Sequence, residues 1–155
     1  VNAPALRRVR PVVVLVVLAL LAGGCAREPA EQRLRASIAA IEAAVEARSA
    51  GDIVGHVAED FTGGDGGIDA LDRRQLHALL RGVLLRHRDI GVLLGPLDLT
   101  MHGADRATVK VDALVTGGAG GLLPASGRRI AIDSGWRLDD GEWRCISARW
   151  GEQAR

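Results

Sequence analysis

The sequence predicts an α+β domain in which three helices precede an antiparallel sheet of about four strands. Three observations point there. Apolar residues recur at helical spacing between Leu34 and His87. After Arg88 the apolar period shortens to that of a strand. The last two alternating runs flank Asp140-Gly141, a dipeptide suited to a two-residue hairpin turn.

The first helix follows a short tether ending at Ala30. Pro29 suits a first helical position, and Glu31 suits the first turn. Leu34, Ile38, Ile41 and Val45 form its apolar stripe, and Gly51 is a candidate C-terminal cap. Asp52 reads as the N-cap of a short second helix that buries Ile53, Val54 and Val57. Phe61 to Gly67, FTGGDGG, reads as a loop. The third helix has a clear start: Asp72 and Gln75 make a capping box, and Leu71 and Leu76 are placed as a hydrophobic staple. Leu76, Leu79, Leu80, Val83, Leu84 and His87 then share a face.

Val92 to His102 reads as a strand bent at Gly95-Pro96, since proline cannot donate to a ladder. Thr108 to Thr116 alternates, with Val109, Val111, Ala113 and Val115 on one side. Arg129 to Leu138 and Trp143 to Trp150 form the closing hairpin. The run Gly117 to Gly121 lacks the Gly-Lys-Ser/Thr of a phosphate loop. It reads as a connection whose Leu122, Leu123 and Pro124 fold over the end of the sheet.

With 48% apolar residues the chain can bury one core, and its formal net charge of +1 argues against a nucleic-acid binder. At the N-terminus Arg7, Arg8 and Arg10 precede an apolar segment, Val12 to Ala22. That segment is shorter than the roughly 20 residues of a spanning helix and matches the h-region of an export signal. Leu21-Ala22-Gly23-Gly24-Cys25 resembles the lipobox of bacterial lipoproteins. The resemblance implies that residues 1–24 are a signal peptide, that Cys25 carries diacylglycerol and an N-acyl chain such as palmitate, and that 25–30 form a lipidated tether. Residues 31–152 are then the folded domain. Ala26, in place of Asp, implies an outer-membrane anchor facing the periplasm. The alternative is an ordinary signal peptide with an incidental cysteine. With Cys25 lipidated, Cys145 is the only remaining thiol, which a strand usually treats as a small buried hydrophobe.

A helix, a short helix ending in Ala58-Glu59-Asp60-Phe61, a third helix and a sheet closing on Gly141-Glu142-Trp143-Arg144 resemble the NTF2-like cone fold (SnoaL-like, ketosteroid-isomerase-like) over roughly Glu31 to Trp150. That superfamily holds isomerases, dehydratases, cyclases and scaffolds, so the resemblance leaves function open. It implies a curved sheet and, in many members, dimers formed through the outer sheet surface. Its isomerases and dehydratases rely on tyrosine hydroxyls beside an Asp or an Asp-His pair, and this chain has no tyrosine.

A two-residue turn at Asp140-Gly141 pairs Asp139 with Glu142, Leu138 with Trp143 and Trp136 with Cys145. Continued without interruption, the count pairs Ser134 with Ser147 and Ile132 with Arg149. Ser134, Trp136, Cys145, Ser147 and Arg149 then line the cone interior, joined by His87 from the third helix. Ile146 and Trp150 fall on the outer face, either as a homodimer surface or with Trp150 beneath the tether. Arg149 inside a cone needs an anionic ligand, a carboxylate partner such as Asp60, or a wet rim. His56 and Asp60, four residues apart, are the weak candidates for a base and its orienting carboxylate, or else a solvated helix face. His87 can alternatively cap its helix. His77 reads as exposed, and His102 ends a strand. No His or Cys spacing implies a metal, and no cofactor is implied.

Three functions follow as expectations: a lipid-anchored, non-enzymatic module binding a small apolar or anionic molecule or an envelope partner; a cofactor-independent isomerase-, dehydratase- or hydrolase-type enzyme using His56 and Asp60, with Arg149 holding the substrate's anionic end; or a structural dimerisation module.

Overall fold

The computed structural model describes residues 29–67, 70–87, 89–118 and 127–152. The expected export signal, Cys25 and the segment Leu122 to Pro124 lie outside the described residues. No helix among the described residues is long and apolar enough to cross a membrane.

Helix α1 (Ala30–Glu46) starts after Pro29, which serves as its N-cap rather than its first residue, and buries Leu34, Ile38 and Ala44. It ends sooner than the position of Gly51 suggests. Arg48 takes a left-handed backbone with φ of 56°, and Ser49, not Asp52, caps the next helix. The Ser49 hydroxyl accepts the Asp52 N–H at 3.2 Å. Helix α2 (Ala50–Gly55) is therefore shifted N-terminally and finishes before the Ala58–Phe61 stretch.

That stretch belongs to strand β1 (Val57–Gly64), where a helix end and a loop are expected from local sequence. Its partner, β7, lies far along the chain and runs parallel to it, so local periodicity carries no trace of the pairing. Gly63 is needed here because a Cβ would stand 2.5 Å from both the Phe61 ring and the Ala148 carbonyl oxygen. The two-residue strand β2 (Leu71–Asp72) pairs with β1 and leads into helix α3 (Arg73–Arg86). The capping box forms as the sequence predicts: the Asp72 carboxylate accepts the Gln75 N–H at 2.7 Å and the Gln75 side chain accepts the Asp72 N–H at 2.9 Å. The buried stripe of α3 is narrower than predicted. Leu84 is buried and Leu76 and Leu80 pack on the core, whereas Leu79 and Val83 are 45% and 37% exposed.

The predicted bent strand is two strands, β3 (Asp89–Leu94) and β4 (Asp98–His102), separated at Gly95-Pro96-Leu97. Both pair with β5 (Arg106–Gly118), and the Gly95 N–H donates to the Asp112 carbonyl at 2.8 Å across the break. Strands β6 (Arg128–Asp139) and β7 (Glu142–Glu152) complete a mixed sheet of seven strands, ordered β2-β1-β7-β6-β5-β3 with β4 also on β5. Seven replaces the expected four because the bent strand is two strands, and the two-residue β2 and the parallel β1 show no alternating run.

One face of this sheet packs on the helices. Phe61, Val57, Ala107, Val109, Trp136, Trp143 and Cys145 meet Leu34 and Ile38 there. A smaller cluster joins α1, α2 and α3 through Ala44, Ala50, Ile53 and Leu84. The Trp143 indole donates to the Ala30 carbonyl and Arg33 Nη1 donates to the Gly141 carbonyl, each at 2.9 Å, holding the hairpin tip against α1. Asp140 and Gly141 both have positive φ, 50° and 86°, as this turn requires.

Candidate functional site

The closing hairpin decides which side chains enter the cone. From the turn, the pairs are as predicted: Asp139 with Glu142, Leu138 with Trp143, Trp136 with Cys145. The register then shifts, and Gly135 pairs with Ser147. Ile146 is the extra residue of a β-bulge, and such an insertion transfers every later side chain to the other face. Gly135 makes the bulge sterically feasible. A Cβ there would lie 2.7 Å from Ser147 Oγ and 3.7 Å from the Ile146 side chain, so both bulge residues sit over the glycine.

The expected lining set is therefore divided. Ser134, Trp136 and Cys145 are buried on the helix-covered face. Ser147 and Arg149 are not: beyond the bulge they pair with Gly135 and Asp133 and share the outer face. Trp150 moves in the opposite sense, pairing with Ile132 on the inner row, while Ile146 stays outside. His87 is an exposed C-cap residue at the end of α3 and lines no interior space.

The inner polar groups satisfy one another. The Ser134 hydroxyl donates to the Val109 carbonyl at 3.1 Å and accepts the Trp136 indole N–H at 2.9 Å. The Cys145 thiol contacts the Ser147 carbonyl at 3.2 Å, and burial pushes its pKa up to about 12, so it stays a neutral thiol. It is a core residue, not a nucleophile.

The His56-Asp60 pair does not form on one helix face. His56 is the C-cap of α2, and Asp60 lies on β1. Both Asp60 oxygens accept from Arg137, at 2.9 and 3.0 Å, and Arg137 also holds Asp139 at 2.6 and 2.8 Å. These hydrogen bonds from Arg137 keep both carboxyls below the usual carboxylate range and raise the guanidinium pKa further. A carboxylate held in this way is a poor general base. His102 bonds the Thr108 hydroxyl at 2.9 Å. Among the described residues no cluster of His, Cys, Asp and Glu could hold a metal ion.

What remains open is at the surface. A cleft of about 360 Å³ is lined by Thr62, Gly64, Asp133, Gly135, Ser147 and Arg149 among others. A second, about 440 Å³, includes Val111, Ile132 and Trp150 with Asp65 and Arg149. Sequence reasoning singled out Arg149 and Ser147 but aimed them inward. The missed signal was Gly135, a glycine inside an otherwise regular strand, which marks bulges and close approaches.

No protein-family model matches the sequence, and no curated protein matches it. Solved structures do match in fold. A protein from Streptomyces avermitilis, provisionally named a dehydratase of the NTF2-like family, aligns with a TM-score of 0.70 and 15% identity over 80% of this chain and 96% of that one. A protein from Novosphingobium aromaticivorans, provisionally named a scytalone dehydratase, gives 0.73 and 10% over 80% and 84%. An NTF2-like protein with a cystatin-like fold from the same organism gives 0.67 and 20% over 90% and 87%. The chain thus has the NTF2-like, cystatin-like fold, a curved sheet with helices on one face, which enzymes and binding proteins share.

Proposed function

We propose that this chain is a non-enzymatic binding module with the NTF2-like fold, held by lipid on Cys25 at the periplasmic side of the outer membrane and binding a small molecule or an envelope partner. The side chains where catalysis would be sought carry the proposal. The deep part of the cone is filled by Phe61, Trp136, Trp143 and Cys145, and the Asp60 carboxylate is occupied by Arg137. Anchoring through two or more acyl chains is stable, whereas one chain binds only marginally. Mass spectrometry of the protein made in a bacterium with lipoprotein processing should find an acylated N-terminal Cys25, and an unmodified cysteine refutes the anchor. Turnover that His56→Ala or Asp60→Ala abolishes, with folding intact, refutes the non-enzymatic role.

A second reading, a cofactor-independent isomerase-, dehydratase- or hydrolase-type enzyme, draws support from the comparisons, since two of the similar structures carry dehydratase names. On fold likeness that support exceeds the support for a binding module. The residues of this chain weigh the other way, because tyrosine is lacking and the His56-Asp60 pair is not assembled. A homodimer through the outer sheet face is a third element, favoured by the cross-strand pair Leu93 and Leu114, which are 64% and 36% exposed. A strict monomer in sedimentation removes it.

A further inference from the structure

We propose that the outer-face cleft at the β1–β7–β6 end of the sheet binds a small molecule through an oxyanion, a carboxylate or phosphate group, with Arg149 as its charged anchor and Ser147 and Thr62 as hydroxyl donors. This rests on the binding role above and names its ligand chemistry.

Register places the groups together. Thr62 pairs with Ser147, which pairs with Gly135; one row on, Gly64 pairs with Arg149, which pairs with Asp133. Cross-strand partners project from the same face, so Thr62, Ser147 and Arg149 border one patch. Gly64 and Gly135 contribute no side chain, and the cleft of about 360 Å³ results. This lies at the lower end of small-ligand sites, roughly 300–1,000 Å³.

The charge of Arg149 is available. It is exposed, and among the described residues its side chain has no hydrogen-bond or ion-pair partner. Asp133, its direct neighbour, lies instead 3.9 Å from Lys110 on the adjoining strand. Asp133 and Lys110 offset one another, and Asp65, which borders the adjoining cleft with Arg149, accepts the Gly67 N–H at 3.0 Å, so the guanidinium is left to meet an added anion. A guanidinium presents two parallel N–H groups to two oxygens of one anion. The Ser147 and Thr62 hydroxyls can each donate one further hydrogen bond. The bulge at Ile146 brings this set together: without it Ser147 and Arg149 would project among the core residues.

The test is a titration of the full chain in detergent micelles with sodium acetate and with sodium phosphate. Ionic strength is held constant with sodium chloride, and amide resonances are followed by two-dimensional NMR. The proposal predicts saturable shifts of the Gly64, Gly135, Ser147 and Arg149 amides with at least one oxyanion, half-complete at about 1–10 mM, the range of a small contact set. Saturation by acetate alone identifies a carboxylate ligand, and by phosphate alone a phosphorylated one. Arg149→Gln should weaken binding about tenfold or more, the loss expected for a charge-assisted pair. Arg149→Lys should retain part of it, and Arg86→Gln, on α3, should change nothing. Chloride reproducing the shifts, or Arg149→Gln binding as tightly as the parent, overturns the proposal. Saturable binding that moves amides elsewhere removes the cleft while leaving the binding role intact.

Discussion

Replacing Gly63 with alanine tests the pairing that local sequence conceals. The new Cβ would stand 2.5 Å from the Phe61 ring and 2.5 Å from the Ala148 carbonyl oxygen, and 3.1 Å from a second ring carbon. Neither neighbour moves freely: Phe61 is 2% exposed within the main core, and Ala148 is backbone of the adjacent strand. Overpacking of this kind costs about 1–3 kcal/mol. At roughly 3–5 °C per kcal/mol for a domain of this size, Tm should fall by about 3–15 °C. Gly51→Ala is the matched control. Gly51 lies inside α2 with nothing within 4 Å of its would-be Cβ, so alanine should raise stability by about 0.5–1 kcal/mol through helix propensity. Thermal melts of the full chain in detergent, followed by circular dichroism, read both. Gly63→Ala melting at or above the parent temperature would contradict the packing of Phe61 over β1 and the parallel pairing with β7.

Other consequences are as direct. Ser134→Ala leaves the buried Trp136 indole N–H without its acceptor and should cost about 1–3 kcal/mol in chemical denaturation. Asp60 and Asp139 have folded-state pKa values below their ordinary 3.8, so their contribution is present above that value and lost as pH falls through the lowered values. Arg137→Gln should therefore flatten the acid limb of stability against pH, and an unchanged limb contradicts the pairing. Cys145 has a raised folded-state pKa, from 9.0 to about 12, so its contribution is intact below 9.0 and lost as pH climbs toward 12. Its thiol should resist maleimide in the folded protein and react on denaturation; rapid labelling of the native state contradicts the burial.

How much of this was legible in the sequence depended on how local each cause is. The Asp72-Gln75 capping box and the Asp140-Gly141 turn are complete within a few residues, and both form as read. The Leu34-Ile38 stripe was legible for the same reason. The β1 strand was not, because its glycines lower strand propensity and its partner is parallel and remote. Leu79 and Val83 fit the helical stripe of α3 but lie at its uncovered flank, which periodicity alone does not distinguish. The pairing of Asp60 with Arg137 joins residues 77 positions apart, and no spacing rule reaches that far. On the closing hairpin the expected lining departs from the structure at a single point: counting by twos along β7 assumes that no residue is inserted, and Ile146 is inserted. Beyond it the faces of Ser147, Arg149 and Trp150 are exchanged.

The outer-face cleft, and with it the ligand chemistry proposed for Arg149, depends on that one bulge. Cross-strand nuclear Overhauser contacts between β6 and β7 measure it directly. The account predicts contacts of Gly135 with Ser147 and of Ser134 with Ala148. Contacts of Ser134 with Ser147 and of Ile132 with Arg149 would return the arginine to the interior and contradict it.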